Sequence, residues 1–562
     1  MVFMELPLTP SESLIRRGVS VPVGGAGMSL RNEAQRGEAI MVGRPDLLLA
    51  LDVGTQSARA LLFDLDGELV GKGQAPLDAY RSPQPGWHEI DAEVFWSQLA
   101  AACQQLWASH RQMRGAVRGV ALTTQRATVV PVDAAGRPLA PVITWLDQRR
   151  AAAAPRLLLK WRIAQTLGAA EGVMRRFARE AESNWFAESR PDVAAKTHKF
   201  LLLSGYLHLR LTGRFVDSVG SQVGYIPFDY KRQQWAKPDD WKWRALTLRP
   251  DQMPELAPVS ARLGAVLPAA SADTGIPAGL PVIAAAADKA CGVLGSGCNG
   301  STIGGLSYGT TATIAVRSPR YVEAIRLAPA YPSATPGYYE SEVQIFRGYW
   351  MVSWFRDQFA EREKAEAARL GVSPESLLDA LAASAPPGAM GLTLQPYWTP
   401  GIRFPPADAK GAIIGFGDVH TRAHLYRAIL EGLAYAMRDG ASRIERKTGQ
   451  RLTQLRASGG GSQSDAALQI TADVFNLPVG RPHTYETAGL GAAIVCAVGL
   501  KLHPDFDTAM AAMTRLAKTF APNPDHAARY DALYAQVFKR MYPRLAPLYT
   551  AIQKITGYPE MV

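Results

Sequence analysis

One aspartate in this 562-residue sequence occupies a position from which a carboxylate could take part in catalysis. Asp288 follows the apolar run from Val282 to Ala287 and precedes the helix-like segment Lys289 to Leu294, so we place it at a strand-to-helix junction. Aspartate at such a junction often caps the helix. It could also project into a cleft and take the proton from a hydroxyl group that attacks a phosphate. The position fits both roles, and they are not exclusive.

A second candidate is the turn after the apolar run from Leu47 to Leu51. The segment Asp52-Val53-Gly54-Thr55-Gln56-Ser57 joins two predicted strands. Gly54 permits close approach of a ligand to the backbone, and Thr55, Gln56 and Ser57 offer hydrogen-bond donors to phosphate oxygens. Asp52, at the end of the strand, could hold Mg²⁺ through water. The turn therefore has the groups that a nucleotide site needs, although an ordinary hairpin can have the same pattern.

Two later segments offer further contacts for phosphate. The turn Gly309-Thr310-Thr311 lies between two strand-like runs, and alone it is also typical of an ordinary hairpin. The segment Gly459-Gly460-Gly461-Ser462 lies between a strand-like run and a predicted helix, which suits backbone contact with a phosphate or ribose. A plain glycine linker is the alternative. Because the pattern of strand, Gly-Thr turn and strand occurs twice, we expect an internal duplication of one α/β lobe.

The elements around these candidates predict a mixed α/β protein with two lobes. A length of 562 residues fits two domains, each with its own core. Three antiparallel strands are expected near the start of the ordered chain, and helices are expected at Ala92 to His110, Leu425 to Lys447 and Ser464 to Val474. We expect a disordered leader at residues 1–45, a first lobe at 46–297 and a second lobe at 298–562.

Composition and charge argue against several classes of protein. The net charge of +11 is spread along the chain without a run of five or six basic residues, which does not favour nucleic-acid binding. Cys103, Cys291, Cys298 and Cys496 form no CxxC pair and no metal-ligand spacing, which favours a reducing compartment. No uncharged apolar segment reaches the roughly 18 residues of a membrane span. We therefore expect a cytoplasmic protein.

Together, these motifs resemble those of the FGGY carbohydrate kinases, which include xylulokinases, glycerol kinases and ribulokinases. The resemblance runs from about Leu47 to Leu500. Its most specific part is the segment Gly411 to Phe416, followed by His424-Leu425 and by Ala428 to Glu431. Further matching segments are DVGTQSARALLFD from Asp52, PGWHEID from Pro85, TWLDQRR from Thr144, YLHLRLTG from Tyr206, ADKACGVLGSG from Ala287, SYGTT from Ser307 and ASGGGSQS from Ala457.

The resemblance implies two actin-like, ribonuclease H-like lobes with a nucleotide cleft between them. The first lobe would bind most of the sugar and the second most of the adenosine. ATP and Mg²⁺ are the implied cofactors, with Asp52 and Asp288 at the metal and Asp288 also as the catalytic base. The implied sugar-pocket residues are Gln125, Arg126, Trp145, Asp147 and Asp288. For Trp145, a place in the hydrophobic core is the alternative.

Departures from the family pattern bear on the substrate. Glycerol kinases have Arg-Glu where this chain has Arg126-Ala127, and Gln where Lys289 follows Asp288, which argues against glycerol. Typical xylulokinases have Met-His in place of Gln125-Arg126, but a ketopentose such as xylulose remains the favoured acceptor. The Pro-Lys element of the first family signature is not evident around Ser183 to Phe186.

We therefore expect ATP-dependent phosphorylation of a small sugar or polyol. The alternative is a nucleotide-gated, actin-like binding or regulatory protein, because the same fold also serves such proteins. A small sugar or polyol is the expected partner, and neither nucleic acid nor a membrane is expected. The sequence is compatible with a homodimer.

Overall fold

The apolar segments of the sequence form two mixed β-sheets, one in each lobe. The structure is a computed structural model that describes residues 46–152, 171–399, 404–406 and 408–558. The predicted leader, residues 1–45, lies outside the described residues. Within the described part of the chain, no helix is both long enough and apolar enough to cross a membrane.

The first sheet is built around the strand Leu47–Val53, whose side chains are all buried. This strand pairs antiparallel with Ser57–Phe63, which in turn pairs antiparallel with Leu69–Pro76. On its other side it pairs in parallel with Val117–Thr124. The three predicted antiparallel strands are thus confirmed. The strand order is Arg262–Ala265, Pro281–Ile283, Val117–Thr124, Leu47–Val53, Ser57–Phe63 and Leu69–Pro76.

The second sheet repeats this topology. Its strand Ile303–Tyr308 pairs antiparallel with Ala312–Ser318 and in parallel with Gln454–Ser458, as Leu47–Val53 does with its neighbours. The strand order is Tyr331–Pro332, Tyr339–Ile345, Ala312–Ser318, Ile303–Tyr308, Gln454–Ser458, Val479–Pro482 and Leu516–Phe520. Both sheets therefore run from antiparallel hairpins through parallel strands to an antiparallel edge, which is the pattern that a duplicated lobe would have.

The three helices predicted from their spacing are present as Ala92–His110, Arg422–Thr448 and Asp465–Phe475. The other helices of the first lobe are Glu171–Glu180, Glu182–Ser189, Pro191–Lys196, Leu203–Thr212, Trp241–Ala245, Pro268–Thr274 and Asp288–Gly295. Those of the second lobe are Trp350–Phe359, Glu361–Leu370, Pro374–Ala383, Thr487–Gly499, Phe506–Met513, Pro524–Leu533 and Lys539–Thr556.

Smaller sheets extend the lobes. The strands Glu89–Ile90, Val142–Ile143, Val129–Val132 and Lys199–Leu202 form one sheet, and the pairs are Phe228–Asp229 with Gln234–Trp235, Val216–Ser218 with Glu255–Ala257, and Thr393–Gln395 with Ala412–Ile414.

A buried apolar cluster joins the two lobes beneath the first sheet. The helix Thr487–Gly499 packs against the strand Leu47–Val53. Its Leu490 and Ile494 lie in the same buried cluster as Leu48, from the first sheet. Because burial of this apolar surface stabilises both partners, the first sheet depends on a helix from the far end of the chain.

The helix Thr487–Gly499 also crosses the helix Asp288–Gly295 at very short range. A Cβ atom at Gly491 would lie 1.9 Å from the carbonyl oxygen of Cys291. Only a residue without a Cβ atom allows backbones to approach so closely. The glycine thereby fixes the position of the helix that begins with Asp288.

Candidate active site

A cavity of about 770 Å³ opens between the two lobes. Most of the predicted site residues line it. They are Asp52, Thr55, Gln56, Ser57, Gln125, Arg126, Trp145 and Asp288 from the first lobe, and Gly309, Thr310, Thr311 and Gly459 from the second. Gly460, Gly461, Ser462 and Asp147 are not among the lining residues. The fold thus brings together the three turns and the aspartate, which lie far apart in the sequence.

The turn at residues 54–57 is held by hydrogen bonds to the residues predicted for the sugar pocket. The Thr55 hydroxyl accepts a hydrogen bond from Trp145 Nε1 at 2.9 Å and donates one to Gln125 Oε1 at 3.1 Å. The Thr55 carbonyl oxygen accepts a further bond from the Tyr80 hydroxyl. Trp145 thus lines the cavity and also supports the turn, so its pocket and structural roles are compatible.

Asp52 lies buried at the end of its strand, among other charged groups. Its Oδ2 accepts a hydrogen bond from Arg59 Nη1 at 2.8 Å, and Arg59 also lies 3.6 Å from Glu486. Burial raises the pKa of Asp52 to about 6; Arg59 opposes this rise, while the Glu486 and Asp288 carboxylates add to it. The influence of Asp288 on Asp52 means that the two carboxylates lie within electrostatic reach of one another.

Sequence reasoning missed Arg59 and Glu486. Arg59 lies two positions after Ser57 in the same strand, so the alternation of side chains along a strand could have placed it beside that residue. Glu486 immediately precedes the helix Thr487–Gly499, and Lys72 Nζ contacts its Oε1 at 2.6 Å. No local pattern connects Glu486 with the first turn.

Asp288 is the first residue of the helix Asp288–Gly295, and the N-cap residue is Ala287. The expectation that Asp288 caps this helix is therefore wrong, because the helix already includes it. The half-buried carboxylate accepts a hydrogen bond from the backbone N–H of Lys289 at 2.7 Å. It lines the cavity, where the hydroxyl group of a bound ligand could reach it.

Two polar contacts join the lobes across the cavity. Arg126 Nη1 and Nη2 donate to Oε2 and Oε1 of Glu342 at 3.1 and 3.0 Å. Lys289 Nζ donates to Ser307 Oγ at 2.8 Å. Glu342 and Ser307 lie in the second-lobe strands Tyr339–Ile345 and Ile303–Tyr308. Sequence reasoning did not identify Glu342, because its partner belongs to the other sheet.

Asp147 points to a different set of partners. Arg149 Nε and Nη2 donate to its two carboxylate oxygens at 2.8 and 2.7 Å, and the backbone N–H of His88 donates at 2.6 Å. The Arg149 guanidinium stacks on Trp87 and Trp185, at 3.9 and 4.6 Å from the ring centroids. These contacts suit a structural role for Asp147 outside the cavity wall.

The glycine loop of the second lobe rests on a pair of tyrosine rings. Tyr308 and Tyr349 stack with their centroids 4.3 Å apart. A Cβ atom at Gly461 would lie 2.4 Å from the Tyr349 ring, so this position has no room for a side chain. The Ser462 hydroxyl donates to the Gly459 carbonyl oxygen at 2.7 Å. These contacts set the shape of the loop beside the cavity.

Aromatic side chains that the sequence reasoning did not single out form another part of the cavity wall. Phe177 packs edge-on against Tyr225 and Trp241, with centroids 5.7 and 5.1 Å apart. Aromatic faces of this kind suit the apolar C–H surface of a sugar ring or chain.

The oxygen ligands for a metal are limited to pairs of carboxylates. Among the residues that the structure describes, no three His, Cys, Asp or Glu side chains group as a metal site. Asp52 and Asp288 nevertheless line the same cavity and influence each other electrostatically. Two carboxylates are sufficient for Mg²⁺, which keeps several waters and also takes oxygens from phosphate.

Comparison with protein families gives matches over most of the chain. Residues 47–295 match the N-terminal domain of the FGGY family of carbohydrate kinases, and residues 304–500 match its C-terminal domain. The chain is 31% identical over 497 residues to the uncharacterized sugar kinase YgcE of Escherichia coli (strain K12), covering 88% of this chain and 92% of that protein.

Xylulose kinases are also similar to this chain. The xylulose kinase of Lactococcus lactis subsp. lactis (strain IL1403) is 26% identical over 503 residues, covering 88% of this chain and 96% of that protein. The crystal structure of xylulose kinase from Rhodospirillum rubrum superposes with a TM-score of 0.74 at 27% identity, covering 90% of this chain and all of that one.

Proposed function

Because the chain belongs to the FGGY family of carbohydrate kinases, we propose that it transfers the γ-phosphoryl group of ATP to a hydroxyl of a small sugar or polyol. Membership makes it a phosphotransferase with an alcohol acceptor, built from two actin-like, ribonuclease H-like lobes. The observation that carries the proposal is the shared cavity, in which Asp288 meets both Gly-Thr turns. A ketopentose such as xylulose is the favoured acceptor, which the similarity to xylulose kinases supports.

Asp288 is the base of the proposed reaction. The acceptor oxygen forms a bond to the γ-phosphorus while its proton passes to the Asp288 carboxylate. The bond from the γ-phosphorus to the oxygen that bridges to the β-phosphate breaks, which gives the sugar phosphate and ADP. Gln125, Arg126 and Trp145 would orient the acceptor, since all three line the cavity with Asp288.

The nucleotide would bind to the three turns. Thr55, Gln56 and Ser57 would meet the phosphates from the first lobe, and Gly309, Thr310 and Thr311 would meet them from the second. The loop of Gly459, Gly460, Gly461 and Ser462 would contact the ribose or a phosphate through its backbone.

Asp52 and Asp288 fit a bound Mg²⁺. Their like charges lie within electrostatic reach of one another, and a cation between them would remove the repulsion that helps to raise the pKa of Asp52. When bound, Mg²⁺ neutralises charge on the phosphate oxygens.

We also propose that residues 46–297 form the sugar-binding lobe with the base, and that residues 298–562 form the nucleotide-binding lobe. The chain passes from the helix Asp288–Gly295 to the strand Ile303–Tyr308 through two turns. Gly297 and Gly300 have φ values of 74° and 108° there, in a region that favours glycine.

The test is the release of ADP by the purified protein with ATP, Mg²⁺ and a panel of ketopentoses, polyols and aldoses. We expect turnover only with the right acceptor. Asp288→Asn should lower kcat by about 10²- to 10⁴-fold without loss of folding or nucleotide binding, because it removes the proton acceptor.

The matched control is Asp229→Asn, which makes the same change elsewhere in the cavity wall. Asp229 accepts hydrogen bonds from the backbone N–H groups of Lys231 and Arg232, so the variant should keep most of the activity. ADP release that needs no sugar and is unaffected by Asp288→Asn would instead support the nucleotide-gated binding protein.

A further inference from the structure

The Arg126–Glu342 ion pair is largely shielded from water and spans the two lobes. The side chains are 14% and 7% exposed, and both nitrogens of the guanidinium fork contact both oxygens of the carboxylate. The guanidinium carbon also lies 5.1 Å from the centroid of Tyr331. Such two-point pairs are the strongest that arginine makes with a carboxylate.

This ion pair lies in the part of the cavity that surrounds the proposed base. Glu342, Arg126 and Lys289 all line the same space as Asp288. Burial lowers the pKa of Lys289; Asp288 opposes this effect, Arg126 adds to it and Glu342 opposes it again. The four charged groups therefore influence one another, and each cation has a carboxylate beside it.

Resting on the proposed function, we propose that Glu342 is a specificity-determining residue that restricts the acceptor to uncharged sugars and excludes sugar acids. A carboxylate on the substrate would need the guanidinium fork that Glu342 already occupies, and it would meet the like charge of Glu342. Hydroxyl groups face neither obstacle, because the guanidinium has five N–H donors and Glu342 uses two of them.

The test compares a neutral acceptor with the sugar acid of the same carbon number, for example D-xylulose with D-xylonate. The wild-type protein should have the higher kcat/KM for the neutral sugar. Glu342→Gln keeps the size of the side chain but removes its charge, so it should shift the ratio of the two kcat/KM values toward the acid by at least about tenfold. A wild-type preference for the acid, or an unchanged ratio in the variant, would overturn the proposal.

Glu323→Gln is the matched control. Glu323 lines the same cavity, but its carboxylate accepts hydrogen bonds from the Tyr321 hydroxyl and the Leu327 N–H. Its removal changes the charge of the cavity by the same amount without freeing Arg126, so the ratio should stay within about twofold. An equal shift in both variants would mean that overall charge sets the preference, which would also overturn the proposal.

Two further measurements keep the proposal independent of folding and of turnover. Arg126→Gln leaves Glu342 without its partner and should disfavour the acid even more than the wild type does. Calorimetric binding of D-xylulose and D-xylonate without nucleotide should show the same order in all variants. Charge selectivity in binding without phosphoryl transfer would overturn the proposed kinase reaction but leave the role of Glu342 intact, whereas transfer without charge selectivity would do the reverse.

Discussion

At the scale of single residues, Asp52 links the charge of the site to pH. Its ordinary pKa of 3.8 rises to about 6 in the folded protein, mainly through burial. The folded state therefore holds a proton between about pH 4 and pH 6 that the unfolded chain releases. Over this window the contribution of Asp52 to stability falls as pH rises, and at neutral pH the fold contains a buried carboxylate at a cost in free energy.

Asp52→Asn should therefore raise the free energy of unfolding at pH 7.5 by on the order of 1 kcal/mol, because it removes this cost, while Arg59 keeps Glu486 as a partner. At pH 4 the difference should nearly vanish. Thermal denaturation at both pH values checks this. Equal shifts at the two pH values would show that the ionisation of Asp52 is not the cause.

The same residue should shape the pH dependence of activity. A protonated Asp52 is a poor ligand for Mg²⁺, so kcat/KM for ATP in the presence of Mg²⁺ should fall as pH drops through about 6 in the wild-type protein. Steady-state rates from pH 5 to pH 8 at constant ionic strength measure this. A flat profile below pH 6 would count against Asp52 as a metal ligand.

At the scale of elements, the glycine loop after the strand Gln454–Ser458 depends on its contact with two stacked tyrosine rings. Gly461 lies against Tyr349, which is itself buried and stacked on Tyr308. Since the ring cannot move away without disturbing the stack, a side chain at this position must displace the loop.

Gly461→Ala should lower stability by about 1–3 kcal/mol and raise KM for ATP, because the loop moves from its place beside the cavity. Gly460→Ala is the control, since no atom lies within 4 Å of a Cβ atom there and stability should change by less than about 0.5 kcal/mol. Melting temperatures and KM values for both variants check this. Equal melting temperatures would mean that the tyrosine pair is more yielding than its packing indicates.

The elements of the site were predictable where their pattern is local. The apolar run before Asp52 and the turn after it lie within a few residues, and the long second-lobe helix is given by its periodic spacing. Contacts between elements were not predictable in this way. Glu342 meets Arg126 only because two sheets face each other, and the N-cap at Ala287 differs from the expected Asp288 by one residue, which is within the uncertainty of helix ends.

At the scale of the whole molecule, the two lobes share a helix crossing. Gly491 and Gly295 bring the helices Thr487–Gly499 and Asp288–Gly295 into backbone contact. Cβ atoms at these positions would lie 1.9 and 2.0 Å from carbonyl oxygens of the other helix. The crossing lies directly behind Asp288, so its geometry determines where the proposed base stands.

Gly491→Ala should therefore lower stability by about 3 kcal/mol or more, because two backbones would have to separate. Gly292→Ala lies in the same pair of helices, but its Cβ would have only Thr487 Oγ1 nearby, at 3.8 Å. That variant should be as stable as the wild type or slightly more so, since alanine favours helix formation. Chemical denaturation of both variants measures the difference. A Gly491→Ala protein of normal stability would contradict the close crossing.

The helix Thr487–Gly499 also has a consequence for synthesis. It covers the face of the first sheet that contains Leu48 and Ala50, yet it leaves the ribosome roughly 200 residues after Asp288. At about 5–20 residues per second, that apolar face waits about 10–40 s for its cover. During this interval the nascent first lobe exposes a surface that chaperones bind and that other nascent chains can aggregate with. Slow translation of the second half of the message would therefore lower the yield of folded protein without changing any residue of the site.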